Sequence, residues 1–245
     1  MILAIPQQLE TWEAVATVSI AKAIGAKIVF HPLANPEVGM LMWLASVPLA
    51  EEVYDSTKHP SLNYLGAYRQ IENSKLSYAE ILAVASGLKD VALLVPTFSK
   101  ISQSDDSDIV VCPFGLKLDL DLPSNCWRSI VQMLRTYSEN IFLLGERGQR
   151  LDAVGFPEAH ILSDLTIEEK LETLAKAKLI IGVPNAWTWA VTGWTKKLIY
   201  FYPDKQLAAR WFPWPGDTFF RIWIDTNNIQ IPPMLAGLRK AISLL

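Results

Sequence analysis

The sequence has little cysteine and no excess of positive charge, and each shortage excludes a class of protein. Its two cysteines, Cys112 and Cys126, lack the spacing of a metal site or a redox pair, which favours a reducing compartment, the cytoplasm. Lys and Arg total 22 against 25 Asp and Glu, so the chain has no basic stripe for a nucleic-acid partner.

A long uninterrupted apolar run is also missing. Met1–Pro6 is apolar but has no basic n-region, so it predicts a buried strand rather than a signal peptide. Leu179–Thr195 is uncharged, but Pro184, Asn185 and Gly193 interrupt it, which favours a strand, a tight turn and a buried helix. We therefore expect no membrane span.

The common cofactor and metal motifs are absent as well. Gly145-Glu146-Arg147-Gly148 lacks the G-x-G-x-x-G spacing of an NAD oxidoreductase, and the sequence has no P-loop and no zinc spacing. His31, His59 and His160 have no nearby Cys or His partner, so we interpret them as ordinary loop or strand-end residues. Asp119-Leu120-Asp121 imitates a metal-binding Asp-x-Asp, but the parallel α/β pattern around it favours a solvated loop. The sequence predicts no cofactor and no metal.

Apolar residues are abundant, at 51% of the 245 residues, which is enough for a substantial core. Short β-branched runs alternate with helical patterns, as is typical of α/β folds with parallel sheets. The predicted elements of the first half are strands at Ile2–Pro6, Lys27–His31, Glu52–Tyr54 and Val91–Val95, and helices at Glu13–Ile24, Pro36–Ser46 and Ser77–Gly87. Ser77 and Glu80 predict a capping box for the third helix, and residues 55–75 are interpreted as loop or short strands.

Residues 99–108 are rich in Ser and Asp, have no periodicity and predict a linker between two domains, 1–100 and 109–245. After it the alternation restarts. The predicted elements are strands at Ile109–Pro113, Asn140–Leu144, His160–Leu162, Leu179–Val183, Lys197–Tyr202 and Phe219–Asp225, and helices at Pro123–Tyr137, after Thr166, after Pro184 and at Pro232–Leu245. We expect two Rossmann-like α/β domains facing a cleft that binds the ligand, with a reduced N-terminal domain.

A distinctive pattern occupies residues 109–203. Thr166 and Glu169 predict a capping box whose helix leads through Leu179–Gly182 into Val183-Pro184-Asn185-Ala186-Trp187-Thr188-Trp189 and then Lys197-Leu198-Ile199-Tyr200-Phe201. Upstream, Val111-Cys112-Pro113-Phe114-Gly115-Leu116-Lys117 and Ile141-Phe142-Leu143-Leu144-Gly145 fit the first two strands of a donor domain. The stretch resembles the ADP-heptose heptosyltransferase-like family, which are inverting, metal-independent glycosyltransferases of the two-domain GT-B type. Autotransporter-type members, with Trp after Ser or Thr, are more similar still through Thr188-Trp189.

The resemblance implies transfer of a sugar from a nucleotide diphosphate sugar to a hydroxyl of a glycan, a lipid-linked sugar or a protein. The predicted donor-binding residues are Lys117, Gly145, Glu146, Asn185, Ala186, Trp187, Thr188 and Trp189. Backbone N–H groups at a helix start favour a pyrophosphate. Lys117 would neutralise the leaving diphosphate, and Glu146 would hydrogen-bond a ribose. The alternative for both residues is an ordinary solvated charge in a loop.

The acceptor side needs a general base, because the attacking hydroxyl must lose a proton. In the family an Asp in the loop after the first strand does this, within a Gly-Asp motif. Here that loop reads Gln7-Gln8-Leu9-Glu10-Thr11-Trp12, so Glu10 is the first candidate and Glu13 the second. The alternative for both is that they only favour the helix N-terminus through its dipole.

Two departures from the family keep another function open. Pro184-Asn185-Ala186 replaces Asp-Ser-Gly, and Trp189 stands where heptosyltransferases often carry His. The alternative is a catalytically degenerate module that binds a nucleotide, a glycan or a protein without turnover. A nucleotide-sugar epimerase of the same architecture is weaker, because no paired acid/base carboxylates and His stand out.

Nine tryptophans are many for this length. Trp211-Phe212-Pro213-Trp214-Pro215-Gly216 is rigid and aromatic, and our hypothesis is that it forms a wall of the donor pocket or a contact between copies of the chain in a homo-oligomer.

Overall fold

The computed structural model describes residues 1–70, 76, 78–88, 96–104, 106, 108–115, 122–145, 149–151, 159–194, 197–202, 219–225 and 228–245. These residues divide into two compact units. Unit 1 comprises Met1–Ile101, and unit 2 begins at Ser102 and includes the later described segments through Leu245. Within these residues, none of the helices is long and apolar enough to cross a membrane.

Unit 1 begins with a β-α-β arrangement. Its elements are β1 (Ile2–Ile5), α1 (Thr11–Ala23), β2 (Lys27–Phe30), α2 (Pro36–Leu44), α3 (Tyr64–Gln70) and α4 (Tyr78–Ala85). The two strands are parallel, with Ile2 opposite Lys27, and single bridges join Leu49 to the outer side of β2 and Ser61 to the outer side of β1. An unbroken buried run in α1, Ala14–Ala21, places that helix in the core of the unit.

Two predictions for unit 1 need correction. No strand forms at Glu52–Tyr54, where the backbone is bend and coil and the Val53 side chain is 86% exposed. Strands in a parallel sheet are usually covered on both faces, and the consecutive charges Glu51 and Glu52 do not tolerate that burial. Residues 64–70, interpreted as loop or short strands, form helix α3 instead.

The start of α3 explains why the helix forms. The Asn63 side-chain oxygen accepts a hydrogen bond from the Gly66 N–H at 2.9 Å, which is the interaction of a helix N-cap. Ala67, within the helix, is fully buried. The other predicted helices and the first two strands of this unit are confirmed. The predicted strand Val91–Val95 and the capping residue Ser77 lie outside the described residues.

Unit 2 is a parallel α/β sheet. Its elements are β3 (Ile109–Cys112), α5 (Ser124–Leu134), β4 (Ile141–Leu144), β5 (His160–Leu162), α6 (Ile167–Lys176), β6 (Leu179–Gly182), α7 (Ala186–Ala190), a 3₁₀ turn (Val191–Gly193), β7 (Lys197–Tyr202), β8 (Phe219–Trp223) and α8 (Ile231–Leu244). Their order across the sheet is β5-β4-β3-β6-β7-β8, with every pair parallel. This is the doubly wound Rossmann order. The predicted α/β class is confirmed.

The centre of unit 2 is fully apolar. All four residues of β3 and all four of β6 are buried, as expected for strands covered on both faces. On one face they pack against α5 and α8, where Trp127 is completely buried and its ring meets Phe201 of β7 edge-on at 5.7 Å. The two central strands therefore form a rigid base for the loops at their carboxyl ends.

The predicted linker has ordered contacts in unit 2. The N–H of Ser104 donates to Ala175 O at 3.0 Å, and the N–H of Asp106 donates to Lys176 O at 2.9 Å. These bonds satisfy carbonyls at the end of α6 that have no partner within the helix. Ser104 and Asp106 of this stretch are thus tied to the end of α6.

Candidate functional site

In the sheet of unit 2, β4 and β5 follow on one side of β3, and β6, β7 and β8 follow on its other side. The strand order therefore reverses between the neighbours β3 and β6. In doubly wound sheets, ligands bind beyond the carboxyl ends of the strands at this reversal. The two loops concerned start after Cys112 and after Gly182, which are paired in the sheet. Asn185 joins these loops, since its side-chain Nδ2 donates to Phe114 O at 2.8 Å. The predicted turn 184–186 therefore lies at the binding edge of the sheet.

Gly182 ends β6 at a point where a side chain does not fit. A Cβ there would lie 2.6 Å from Cys112 O and 3.0 Å from Thr188 Cγ2. The missing side chain lets β3, β6 and the start of α7 approach each other closely. This is the physical reason for the strand ending in Gly on which the resemblance rests.

Asn185 and Thr188 form a reciprocal capping box at the start of α7. The N–H of Thr188 donates to Asn185 Oδ1 at 2.9 Å, and the N–H of Asn185 donates to Thr188 Oγ1 at 3.0 Å. Two of the four N–H groups expected to face a pyrophosphate are therefore used inside the protein. The N–H groups of Ala186 and Trp187 have no acceptor among the residues that the structure describes.

The two tryptophans of this turn are buried rather than displayed. Trp187 is 2% exposed and Trp189 is 5% exposed. The Lys170 ammonium, itself buried on α6, lies 4.8 Å from the centre of the Trp187 ring, within range of a cation–π interaction. Sequence reasoning missed Lys170, because it follows the helical pattern of α6 without any motif of its own.

Of the remaining predicted donor-binding residues, the structure describes Gly145 alone. Gly145 is buried directly after β4, and a Cβ there would lie 2.6 Å from Gln149 Oε1. Lys117, Glu146, the Asp119–Asp121 pair and the aromatic segment 211–216 lie outside the described residues.

Unit 1 places both predicted carboxylates at the start of α1, beyond the carboxyl end of β1. Glu10 is exposed at the N-cap position with an extended backbone, and its carboxylate accepts a hydrogen bond from Trp12 Nε1. Glu13 is half-buried, and its Oε2 accepts a hydrogen bond from the Glu10 N–H at 3.0 Å. Both side chains therefore interact with the helix start, as the dipole alternative expects.

Glu13 differs from Glu10 in its protonation. Burial raises the pKa of the Glu13 carboxyl above its ordinary value of 4.5, and the negative charge of Glu10 raises it further. The hydrogen bond from the Glu10 N–H opposes this and lowers the pKa. A carboxyl group with a raised pKa is closer to the range in which general bases and acids operate.

Aromatic residues surround these two carboxylates. Tyr78 is completely buried, and its ring contacts Trp12 edge-on at 4.3 Å. The Tyr64 hydroxyl lies 2.8 Å from Thr17 Oγ1, which also donates to Glu13 O at 2.8 Å. Burial raises the pKa of both Tyr64 and Tyr78 well above 10, so both phenols stay neutral at physiological pH. The start of α1 is therefore covered by neutral aromatic side chains.

The comparisons with known proteins agree on architecture. No protein-family model and no curated protein sequence matches the chain. Among solved structures, the chain is similar to the E. coli heptosyltransferase WaaC with ADP, with a TM-score of 0.62, 12% identity and 100% of both chains covered. It is also similar to a family 9 glycosyl transferase from Veillonella parvula, with a TM-score of 0.61, 7% identity, and 100% of this chain and 92% of the other covered.

A third similar structure is the dodecameric, iron-containing heptosyltransferase TibC in complex with ADP-D-beta-D-heptose. Its TM-score is 0.56 at 10% identity, covering 82% of this chain and 57% of TibC. The chain has the heptosyltransferase fold. The resemblance noted over residues 109–203 is thus confirmed for the fold, and it extends over the whole chain.

In this heptosyltransferase fold, the described residues contain no group of three or more His, Cys, Asp or Glu side chains placed to hold a metal ion. His59, which is buried, uses both ring nitrogens within its own loop: Nδ1 accepts from the Asp55 N–H at 3.0 Å, and Nε2 lies 3.1 Å from Glu52 Oε2. This arrangement agrees with the interpretation of His59 as a loop residue.

Sequence reasoning also missed the tyrosines beside Glu13. Tyr64 and Tyr78 lie on helices that are far from α1 along the chain, and no spacing in the sequence connects them to Glu13. Only the packing of the folded unit brings Tyr64 to Thr17 and Tyr78 to Trp12, both on α1.

Proposed function

We propose that the protein is a glycosyltransferase that moves a sugar from a nucleotide diphosphate sugar to a hydroxyl acceptor, with inversion and without a metal ion. The observation that supports it most is the similarity of the whole chain to WaaC with ADP, at a TM-score of 0.62. A fold alone does not establish an activity, so the proposal also depends on the chemistry of the two helix starts.

Unit 2 binds the donor in this proposal. Its loops after β3 and β6 lie at the reversal of the sheet, and the N–H groups of Ala186 and Trp187 face no acceptor among the described residues. These N–H groups contact the diphosphate. Lys117 neutralises the leaving group, and Glu146 holds the ribose. Because two similar structures contain ADP or an ADP-sugar, ADP-heptose is the first donor to test.

Unit 1 supplies the general base from the first turn of α1, where Glu10 and Glu13 lie. The base removes the proton of the acceptor hydroxyl while that oxygen bonds to the anomeric carbon. The bond between this carbon and the diphosphate oxygen breaks, and its electron pair leaves with the nucleoside diphosphate. The ring of Tyr68, 46% exposed and 6.4 Å from that of Trp12, offers a face on which an acceptor sugar stacks.

A second candidate function is a module that binds a nucleotide, a glycan or a protein without turnover. The observation that favours it is the closed capping box of Asn185 and Thr188, which removes two N–H groups from the predicted phosphate site. Donor binding without any release of nucleoside diphosphate would support this candidate.

The test is a thermal-shift panel of ADP-, GDP-, UDP-, dTDP- and CMP-sugars, each with and without EDTA. A donor at a hundredfold its dissociation constant adds about 2.7 kcal/mol to the free energy of unfolding. We expect ADP-sugars to raise the melting temperature and EDTA to have no effect. No shift with any nucleotide diphosphate sugar would contradict the proposed glycosyltransferase and favour the module that works without turnover, and a shift abolished by EDTA would contradict metal independence.

A further inference from the structure

The loop of residues 52–59 in unit 1 lines an open pocket of about 620 Å³. This volume lies within the roughly 300–1,000 Å³ that is usual for small-molecule sites. We propose that this pocket binds the sugar acceptor, and that its charge selects an uncharged sugar over one that carries carboxylate or phosphate groups. The inference rests on the proposed function and deepens it, because it names the class of acceptor.

The pocket lies at the edge of the unit 1 sheet from which α1 starts. The N–H of His31, directly after β2, donates to Ile5 O at the end of β1 at 3.0 Å. The ring of Tyr54, which lines the pocket, meets the His31 ring edge-on, with 5.0 Å between the ring centres. The two strands are parallel, so their carboxyl ends share one edge of the sheet. A sugar in the pocket therefore lies at the edge that also carries Glu10, the first candidate base.

Hydrogen bonds fix the loop that forms the pocket. His59 is buried, and its Nδ1 accepts from the Asp55 N–H at 3.0 Å. Asp55 Oδ1 accepts from the Thr57 N–H at 2.9 Å and from the Thr57 hydroxyl at 2.7 Å. Just after the loop, the Ala4 N–H donates to Pro60 O at 2.9 Å, which attaches the segment to β1. A site that is already ordered loses little conformational entropy when a ligand binds.

The charged groups that line the pocket leave it negative. Because His59 Nδ1 accepts an N–H, the ring proton lies on Nε2, which donates to Glu52 Oε2 at 3.1 Å, and the imidazole is neutral. Hydrogen bonds from Thr57 hold the pKa of Asp55 below its ordinary value of 3.8, so Asp55 is ionised at physiological pH. Among the described residues that line the pocket, Lys58 is the only Lys or Arg, and its ammonium lies 3.2 Å from Asp55 Oδ2. The charge of Lys58 offsets that of Asp55, and the charge of Glu52 remains.

This remaining charge determines which sugars fit. The Glu52 side chain is 60% exposed, so its carboxylate is accessible to a ligand in the open pocket. Hydroxyl groups of an uncharged sugar donate hydrogen bonds to carboxylate oxygens and accept them from an ammonium group such as that of Lys58. A uronic acid or a phosphorylated sugar brings a further negative charge beside Glu52, and like charges repel.

The experiment measures binding of the full chain to an array of glycans that pairs each uncharged sugar with its carboxylated and phosphorylated counterparts. We expect at least one uncharged glycan to bind, and its charged counterparts to bind at least about tenfold more weakly at low salt, because like charges oppose binding. Added salt should reduce this difference, since exposed charges are screened. An array on which no uncharged glycan binds, or on which a charged counterpart binds as tightly as its uncharged partner, would overturn the inference.

Two variants in the pocket should change this selectivity in opposite directions. Glu52→Gln removes the charge and keeps an oxygen for the His59 Nε2–H, so the ratio of the dissociation constants for charged and uncharged glycans should fall by about threefold to tenfold. Lys58→Gln removes the cation beside Asp55, so the same ratio should rise. The Lys58 side chain is 75% exposed, which means that this second variant does not disturb the buried part of the loop.

Glu51→Gln is the matched control. It removes the same charge from an exposed residue that adjoins Glu52 but is not among the residues lining the pocket. Its ratio should stay within about twofold of the wild type, because salt screens an exposed charge outside the pocket. A ratio that neither pocket variant changes, or that Glu51→Gln lowers as much as Glu52→Gln does, would overturn the role of this pocket.

The panel of nucleotide sugars separates this inference from the proposed function. If uncharged glycans bind as expected but no nucleotide diphosphate sugar raises the melting temperature, the proposed glycosyltransferase fails and the selectivity of the pocket stands. If nucleotide sugars bind and the wild type transfers the sugar to a carboxylated or phosphorylated acceptor as efficiently as to its uncharged counterpart, this inference alone fails.

Discussion

The first turns of α1 and α6 contain the same kind of capping hydrogen bond, but the pKa of the capping glutamate is shifted in opposite directions. In α1, Glu13 Oε2 accepts from the Glu10 N–H at 3.0 Å, and in α6, Glu169 Oε2 accepts from the Thr166 N–H at 2.8 Å. Yet the pKa of Glu13 is raised, chiefly by burial, whereas that of Glu169 is lowered, chiefly by its hydrogen bond from the Thr166 backbone.

The difference shows which force decides the protonation of a capping carboxylate. Glu169 is exposed, so water solvates its charge and the hydrogen bonds from Thr166 dominate. Glu13 is half-buried among aromatic residues, so the cost of desolvation exceeds the benefit of the same kind of bond. Burial therefore decides the direction in which the pKa of these two capping carboxylates is shifted.

The capping box at the start of α7 contains no charged side chain and is buried. Its loss should therefore cause the largest change in the free energy of unfolding. Asn185→Ala removes the acceptor for the Thr188 N–H and the donor to Phe114 O, and Thr188 is completely buried. We expect the free energy of unfolding to fall by about 3 kcal/mol, because buried polar groups lose their partners. Urea denaturation measures this.

Asn125→Ala is the control for that variant, because Asn125 is exposed in the first turns of α5. Its free energy of unfolding should change by less than about 0.5 kcal/mol. Equal effects at both positions would mean that the capping box of α7 contributes nothing beyond an ordinary surface asparagine.

Loss of the exposed capping box of α6 should lower the free energy of unfolding by a smaller amount. Thr166→Ala removes the side-chain oxygen that accepts from the Glu169 N–H at 3.3 Å, and the loss of an N-cap of this kind costs about 1 kcal/mol. Thr173→Ala is the matched control, since Thr173 lies on the same helix and bonds only to Glu169 O in the described structure. A loss for Thr173→Ala as large as that for Thr166→Ala would contradict the capping role.

The sequence could predict the capping box of α6 and the parallel α/β class of unit 2, because the first depends on local spacing and the second on the alternation of apolar strands with helices. Thr166 and Glu169 are three residues apart, and the strands of unit 2 are uninterrupted apolar runs. The sequence could also place Glu10 and Glu13 at a helix start. It could not predict that Glu13 is half-buried while Glu10 is exposed, because that difference depends on the tertiary packing of α1, including its contact with α4. The sequence could not predict the burial of Trp187 and Trp189 either, because an aromatic residue in a turn has the same spacing whether it faces a ligand or the core.

The smallest effect, and the sharpest test of the comparison, is the pH dependence of stability. The folded-state pKa of Glu13 lies above its ordinary value of 4.5, so its stabilising contribution is complete below pH 4.5 and is lost as the pH rises through the folded-state value. The folded-state pKa of Glu169 lies below 4.5, so its contribution is present above pH 4.5 and is lost as the pH falls. Glutamine preserves the capping hydrogen bond in both helices and removes the titration.

Urea unfolding from pH 3 to pH 8 should therefore show Glu13→Gln gaining stability relative to the wild type as the pH rises above 4.5. Glu169→Gln should gain relative to the wild type only as the pH falls below 4.5. Curves that change in the same direction for the two variants would mean that burial does not control the protonation of Glu13.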